Sequence, residues 1–281
     1  MLARAKALAP LSSVDFARLC DLLYTHTGMQ FDEAKRYYLD RRVADRMVQT
    51  GTETFAEYLS QLRTRPEEIQ HLINSVTVNE TYFYREEHQL ACLSKSILPE
   101  VALTKKPGDR IRIWSMPCSS GEEPYSIAIW LLENWHLVDA YNVEIVGSDI
   151  DTDVIEQARG ARYAPRALAR LPEAIVNGYF SATEDGQRQL IADLRESVSF
   201  SRVNMMDEAS VSAMGTFDVI FCRNLLIYFD DAARERGIQS LFDILRPGGF
   251  ICLGHSETMS RISDRFLTRR FEDAIVYQRP R

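Results

Sequence analysis

After a short apolar run ending at Trp114-Ser115, the chain reads Met116-Pro117-Cys118-Ser119-Ser120-Gly121-Glu122-Glu123-Pro124, a strand giving way to a tight turn and then a helix. Glycine lets the backbone approach a ligand closely, and the first amides of a helix offer it donors. Acids and proline also suit any helix start, so good capping alone accounts for the same residues. The G-x-G-x-x-G spacing is missing, which counts against a dinucleotide pyrophosphate. Roughly thirty residues on, a second apolar run ends in Gly147-Ser148-Asp149-Ile150-Asp151. A carboxylate at such a strand end can accept both hydroxyls of a ribose, and Asp149 is placed for that contact. Asp151 or Thr152 suits the N-cap of the helix that follows.

Two further segments carry chemistry. The run Phe217-Asp218-Val219-Ile220-Phe221-Cys222 leads into Arg223-Asn224 and then Leu225-Leu226-Ile227-Tyr228-Phe229. A central strand that ends in Arg-Asn points polar groups into a crevice, while Tyr228 and Phe229 either take part or simply pack. Upstream, Asn79-Glu80-Thr81-Tyr82-Phe83-Tyr84-Arg85 sets three aromatics between small polar groups and an arginine. That composition fits a pocket lining at a domain junction, and equally a hydrophobic seam joining two domains.

The elements that must position these residues follow from periodicity. Residues 12 to about 75 read as helices: Ser12 or Ser13 caps the first, Asp32 to Gln49 forms the second, Thr52 or Thr54 opens the third, and Pro66 begins the fourth. From Arg110 onward, short β-type runs alternate with helices, the signature of a parallel α/β sheet. The expected strands are Arg112 to Ser115, Val143 to Ser148, Val198 to Val203, Phe217 to Cys222, Phe250 to Gly254 and Ala274 to Gln278. The expected helices between them are Glu122 to His136, Thr152 to Arg159 and Asp231 to Leu245, the last stopped by Pro247-Gly248-Gly249. The chain thus divides into a helical domain at 1–75, a connector contributing to the pocket at 76–109, and a sheet domain at 110–281 with an insertion at about 162–196.

Composition narrows the function classes. With 281 residues and 46% hydrophobic content there is ample material for a packed core. A net charge of -7 argues against broad adhesion to nucleic acid or anionic membrane, so any acidic partner must be met by a local basic face. Five scattered cysteines and five dispersed histidines lack the paired spacing of zinc or redox motifs and suit a reducing cytoplasm. The N-terminus has Arg4 and Lys6 but no long apolar core, and the longest apolar stretch, Ile127 to Leu132, is too short to cross a bilayer.

Taken in order and spacing, Asn79-Glu80-Thr81-Tyr82-Phe83-Tyr84-Arg85, Ser120-Gly121-Glu122-Glu123-Pro124-Tyr125-Ser126, Ser148-Asp149-Ile150-Asp151 and Cys222-Arg223-Asn224-Leu225-Leu226-Ile227-Tyr228-Phe229 resemble the CheR family of chemoreceptor methyltransferases. The resemblance implies a Rossmann-like class I methyltransferase sheet, an all-helical N-terminal domain and a small β insertion subdomain. It implies S-adenosylmethionine as methyl donor and S-adenosylhomocysteine as product. It assigns Asn79, Thr81 and Arg85 to the cofactor from the connector, Glu123 beside its methionine part or backbone, and Asp149 to its ribose. Asn204 and Met205 take the adenine edge, with methionine where leucine is usual, and Arg223 and Asn224 line the remaining pocket. Met116-Pro117-Cys118 departs from the small-residue run usual in the family. The implied substrates are glutamates of receptor cytoplasmic helices, and in some members the insertion docks a peptide at the end of the receptor tail.

Glutamate, with an ordinary pKa of about 4.3, is already ionised at neutral pH, so transfer to it needs placement rather than a strong base. Arg85 and Tyr228 are the residues expected to do the holding, by hydrogen bonds to the substrate carboxylate or to neighbouring cofactor atoms, arginine because its planar fork matches a carboxylate. On the second helix Lys35, Arg42 and Arg46 share or border a face that suits a glutamate-rich partner helix. Asp32, Glu33, Asp40 and Asp45 among them equally describe an ordinary solvated surface.

Overall fold

The computed structural model describes residues 10–281; the Arg4 and Lys6 of the sequence reading lie outside these. The chain divides into two compact units, one holding the chain up to Val78 together with Tyr228–Ala233, the other Asn79–Ile227 and Arg234–Arg281.

In the first unit, helix α1 (Ser13–Thr27) begins where the Ser12 hydroxyl accepts the Asp15 amide at 3.1 Å, and it ends at Gly28 in the left-handed region. A 3-10 turn (Glu33–Lys35) precedes α2 (Arg36–Thr50), so the second helix starts later than its hydrophobic pattern suggests. Of the two threonines that can open α3 (Phe55–Thr64), Thr54 does so, in a reciprocal capping box with Glu57. Pro66 occupies the first turn of α4 (Pro66–Val76), as its fixed φ favours. Leu19, Leu23, Leu39, Tyr58 and Leu72 are fully buried and form the unit's core. The segment Tyr228–Ala233 belongs to this core's edge: the Gln30 amide donates to the Tyr228 carbonyl at 2.9 Å, and the Tyr24 hydroxyl donates to Asp230 at 3.0 Å.

The structure corrects the reading of one basic residue. Arg46 does not present its charge to a partner but grips Glu68 of α4 through two parallel bonds, Nε to Oε1 at 2.9 Å and Nη2 to Oε2 at 2.5 Å, while the Tyr58 hydroxyl donates to the same carboxylate at 2.8 Å. Both side chains are largely buried, so their charges cancel inside the unit. Lys35 is exposed in the 3-10 turn, and the Arg42 guanidinium lies over the Tyr38 ring at 5.1 Å.

The second unit is built on a seven-stranded sheet of β1 (Arg110–Ser115), β2 (Asn142–Asp149), β6 (Val198–Arg202), β7 (Phe217–Cys222), β8 (Leu245–Leu253), β9 (Leu267–Arg270) and β10 (Ile275–Gln278). Their order is β6-β2-β1-β7-β8-β10-β9. The first five strands are parallel, and β10 runs antiparallel to both neighbours. Between β1 and its partners β2 and β7 the order reverses, which opens a crevice at the strands' carboxyl ends. Helices α5 (Glu87–Cys92) and α6 (Leu98–Ala102), with a π turn between them, precede the sheet. The other helices of the chain are α7 (Glu122–Asn134), α8 (Thr152–Gly160), α9 (Glu173–Tyr179), α10 (Ala192–Ser197), α11 (Glu208–Ser212) and α12 (Asp231–Ile244). The insertion carries a second sheet of β3 (Arg162–Tyr163), β4 (Phe180–Ala182) and β5 (Arg188–Leu190) in the order β3-β5-β4.

Three elements differ from expectation. The connector is largely helical, since α5, the π turn and α6 bury Leu90, Leu93, Ile97 and Leu98. Pro247-Gly248-Gly249 does not merely stop α12 but forms an irregular entry into β8, where pairing jumps from Phe217↔Leu245 to Val219↔Phe250. A side chain at Gly249 would meet the Arg246 and Asp218 carbonyls at 2.9 Å. Strand β9, an edge with the pattern Leu-Thr-Arg-Arg, has too little apolar alternation to announce itself. Among the described residues no helix is long and apolar enough to cross a membrane.

Glu68→Ala leaves the Arg46 guanidinium buried without its carboxylate and should cost the helical unit about 3 to 5 kcal/mol, read as a lowered denaturation midpoint. A loss under about 1 kcal/mol shows the pair to be dispensable.

Candidate active site

The turn after β1 is held against the end of β2 by one carboxylate. Asp149, 3% exposed, accepts the Ser119 amide on Oδ2 at 2.8 Å and the Asp151 amide on Oδ1 at 3.0 Å. Ser119 and Gly121 both have positive φ, and at Gly121 a Cβ would sit 3.0 Å from that of Ala158 and 3.1 Å from the Tyr163 hydroxyl. Only glycine fits the turn there. Burial pushes the Asp149 carboxyl up to about 6, against the pull of its backbone donors.

The Asn79 segment is tied to the same place from two sides. The Asn79 side-chain amide donates to Asp151 Oδ2 at 2.7 Å, and the Ser119 hydroxyl donates to the Asn79 carbonyl at 3.0 Å. Asp151 meanwhile caps α8 by accepting the Asp153 amide at 2.9 Å, so it performs the capping role read from sequence and a second one as well.

Behind this lies a chain of charged groups centred on Arg223, 4% exposed at the end of β7. Its Nη1 meets Glu123 Oε2 at 2.6 Å, and its Nη2 meets Glu86 Oε2 at 3.1 Å and the Arg85 carbonyl at 2.9 Å. The Ser115 hydroxyl donates to Glu123 Oε1 at 2.8 Å, and His255 Nδ1 lies 2.9 Å from Glu86 Oε1. Burial lifts the Glu123 carboxyl, with Arg223 and Ser115 opposing. Burial also acts on Glu86, but there Arg223 and His255 outweigh it and hold the carboxyl below its usual range. For Arg223 itself, two carboxylates more than offset desolvation and strengthen its hold on its proton. Its Nε is buried with no partner among the described residues.

A second carboxylate shapes the next loop. Glu257 accepts three backbone amides, those of Asn224 at 2.9 Å, Leu226 at 2.8 Å and Gly254 at 2.8 Å. This clamps Asn224 at a φ of 59°, a left-handed conformation that asparagine tolerates better than most residues. A side chain at Gly254 would strike Glu257 at 2.8 Å. Glu86, His255 and Glu257 were not among the sequence candidates. Their signals were Arg85-Glu86 beside the aromatic segment and the polar Gly254-His255-Ser256-Glu257 that follows a buried strand, both at the same sheet edge.

The remaining candidates divide by unit. The Val203 amide donates to the Asp149 carbonyl at 3.0 Å, which brings Asn204 and Met205 beside the β2 end. The Asn204 side chain accepts the Met206 amide at 3.0 Å, and buried Met205 packs where Gly237 of α12 leaves room, since a Cβ there would lie 2.6 Å from its sulfur. Thr81 is half-buried, and Arg85 donates from Nη1 to the Glu80 carbonyl at 2.8 Å while lying over the Tyr82 ring. Tyr228, Lys35, Arg42 and Arg46 belong to the other unit.

Carboxylates outnumber cations here: Glu86 and Glu123 both pair with the guanidinium of Arg223, while Asp149 and Asp151 lie buried at and just beyond the end of β2. Such a crevice favours a ligand that brings positive charge, and the Asp149 carboxylate, with about four acceptor sites against three backbone donors, can still accept a hydroxyl. A sulfonium nucleoside with an amino-acid tail meets both requirements.

Comparison with known proteins agrees. Residues 79–275 match the family described as CheR methyltransferase, SAM binding domain, and residues 14–77 match CheR methyltransferase, all-alpha domain. The chain is 46% identical over 272 residues to chemotaxis protein methyltransferase 2 of Vibrio cholerae, covering 96% of this chain and 94% of that protein. It is 36% identical over 253 residues to chemotaxis protein methyltransferase 2 of Pseudomonas aeruginosa, with 89% and 88% covered. It is 34% identical over 264 residues to the chemotaxis protein methyltransferase of Salmonella typhimurium, with 92% and 88% covered.

Glu257→Ala strips three amides of a charged acceptor and should lower stability by about 2 to 3 kcal/mol. Hydrogen exchange at Asn224, Leu226 and Gly254 should accelerate at least tenfold; unchanged protection there would show that the loop does not depend on this carboxylate.

Proposed function

This chain belongs to the CheR methyltransferase family and uses S-adenosylmethionine, and we propose that it esterifies glutamate side chains on the cytoplasmic helices of chemoreceptors. The observation that carries this reading is the excess of carboxylate over guanidinium where Glu86 and Glu123, both largely buried, share Arg223 at the sheet's carboxyl edge, which suits a cationic nucleoside donor. The relatives' names, all chemotaxis methyltransferases, support the choice of receptor.

Asp149 would hold the ribose, Glu123 and Arg223 the methionine part, and Asn204 with Met205 the adenine edge, while Asn79, Thr81, Arg85 and Asn224 close the pocket. S-adenosylmethionine supplies an electrophilic methyl group on a sulfonium centre. The substrate carboxylate arrives ionised, so the chain's task is to orient it and keep water away. Arg85 does the orienting with its planar donor edge. Lys35 and Arg42 offer charge to an acidic helix. In the same reading the protein works in the cytoplasm, and an edge strand of the insertion sheet, β3 or β4, receives an extended receptor tail peptide by strand addition.

Two outcomes follow. Labelled S-adenosylmethionine should place a base-labile methyl ester on a receptor cytoplasmic fragment, and Arg85→Ala should lower that rate by a hundredfold or more with the fold intact. Label on nucleic acid or a small molecule, or no label at all, replaces this reading with a different methyltransferase or a nucleoside sensor. The pH dependence has a definite sign. A raised Asp149 pKa means that protonation favours the folded, ligand-free protein as pH falls, whereas ribose binding needs the ionised form. Affinity for S-adenosylhomocysteine should therefore hold from pH 8 to 7 and fall about tenfold per unit below about 6, with a proton released on binding near that pH. A flat calorimetric affinity from pH 8 to 5 removes Asp149 from the contact.

A further inference from the structure

The insertion delivers a second arginine to the segment that carries Arg85. The Phe83 amide donates to the Ala167 carbonyl at 3.0 Å, and the Phe83 ring, fully buried, meets Tyr163 and Phe180 of the insertion edge-on at 4.8 and 5.3 Å. Next to this anchor stands the Tyr82 ring, with two guanidiniums against it: Arg85 and Arg170, each 5.7 Å from the ring centroid. Arg85 spends one donor on the Glu80 carbonyl. Arg170 is exposed and has no hydrogen-bond or ion-pair partner among the described residues. An aromatic ring attracts a guanidinium without consuming its N–H donors, so Arg170 keeps its carboxylate-matching edge available. Two like charges gathered at one ring repel each other, and an incoming anion relieves that cost.

We infer that Arg170 is a second carboxylate-binding residue of the substrate site, one that selects glutamates with another acid nearby on the same helix. The inference rests on the receptor-glutamate reading above. With both guanidiniums at the same distance from one centroid, their separation cannot exceed twice that distance. One or two turns of helix, at about 5.4 Å each, place two carboxylates within that span. Arg85 takes the glutamate that accepts the methyl group, and Arg170 takes its neighbour one or two turns along. A protein carrying a net charge of -7 has reason to concentrate unpaired cations where an acidic helix must dock.

The test uses the full-length enzyme and a chemoreceptor cytoplasmic fragment whose methylated glutamate has been mapped by mass spectrometry. Neighbouring acids three, four or seven residues away are replaced one at a time by glutamine. Arg170→Ala should raise KM for the fragment about fivefold and Arg170→Glu by more, with kcat within about twofold and S-adenosylhomocysteine affinity unchanged. The salt dependence of KM should become shallower, and the Arg170→Ala penalty should vanish on the one fragment that lacks the matching acid. An unchanged KM in both variants, or the same penalty on every fragment, overturns the inference. No ester formed by the wild-type enzyme sinks the receptor reading itself, and this inference with it.

Discussion

The Arg223 guanidinium, 4% exposed at the end of a central strand, has to be neutralised where it sits, and meeting that requirement orders much of the second unit. An unpaired charge at that depth costs several kcal/mol, so carboxylates must arrive from elsewhere in the chain. Glu123 comes from the first turn of α7, and Glu86, with the Arg85 carbonyl just before it, from the residues that lead into α5. One side chain thus fixes the end of β7, the helix after β1 and the connector against each other. The acids it needs also set the electrostatic character of that strand end, so one interaction shapes both the fold and the local charge.

Around that hub, carboxylates tie the strand ends to the loops that follow them. Asp149 secures the turn after β1, Asp151 both caps α8 and receives Asn79, and Glu257 gathers three amides from two loops. Loops shaped this way keep left-handed residues such as Ser119 and Asn224 in place without help from a ligand. Hydrogen bonds within the chain thus fix these strand-end loops, as the placement of a reacting group would require.

Much of this was legible beforehand because the signals are local. Apolar runs alternating with helices marked the parallel strands, and Pro66, with Thr52 or Thr54, marked helix starts by backbone preferences that act within a few residues. Where a signal was weak or mixed, the reading stopped. Helix α6 starts at Leu98-Pro99 after a π turn, so proline and a shifted register hid a continuous helical segment. Strands β3, β4 and β5 are two or three residues long, and such pieces are strands only because of what they pair with.

The sequence by itself determined the family, the donor and the alternation of helix and strand, since these rest on residue identity at fixed spacing and on short-range periodicity. Which charges remain available and which are consumed was decided only by tertiary structure. Arg46 reads like Arg42 on a helical wheel, yet Glu68, 22 residues away, takes its charge, while Arg170, far from Arg85 in sequence, meets the same Tyr82 ring. The reason is physical: a side chain's type fixes what it can bind, but its partner is whatever the folded chain brings within about 3 Å, and sequence distance carries no information about that.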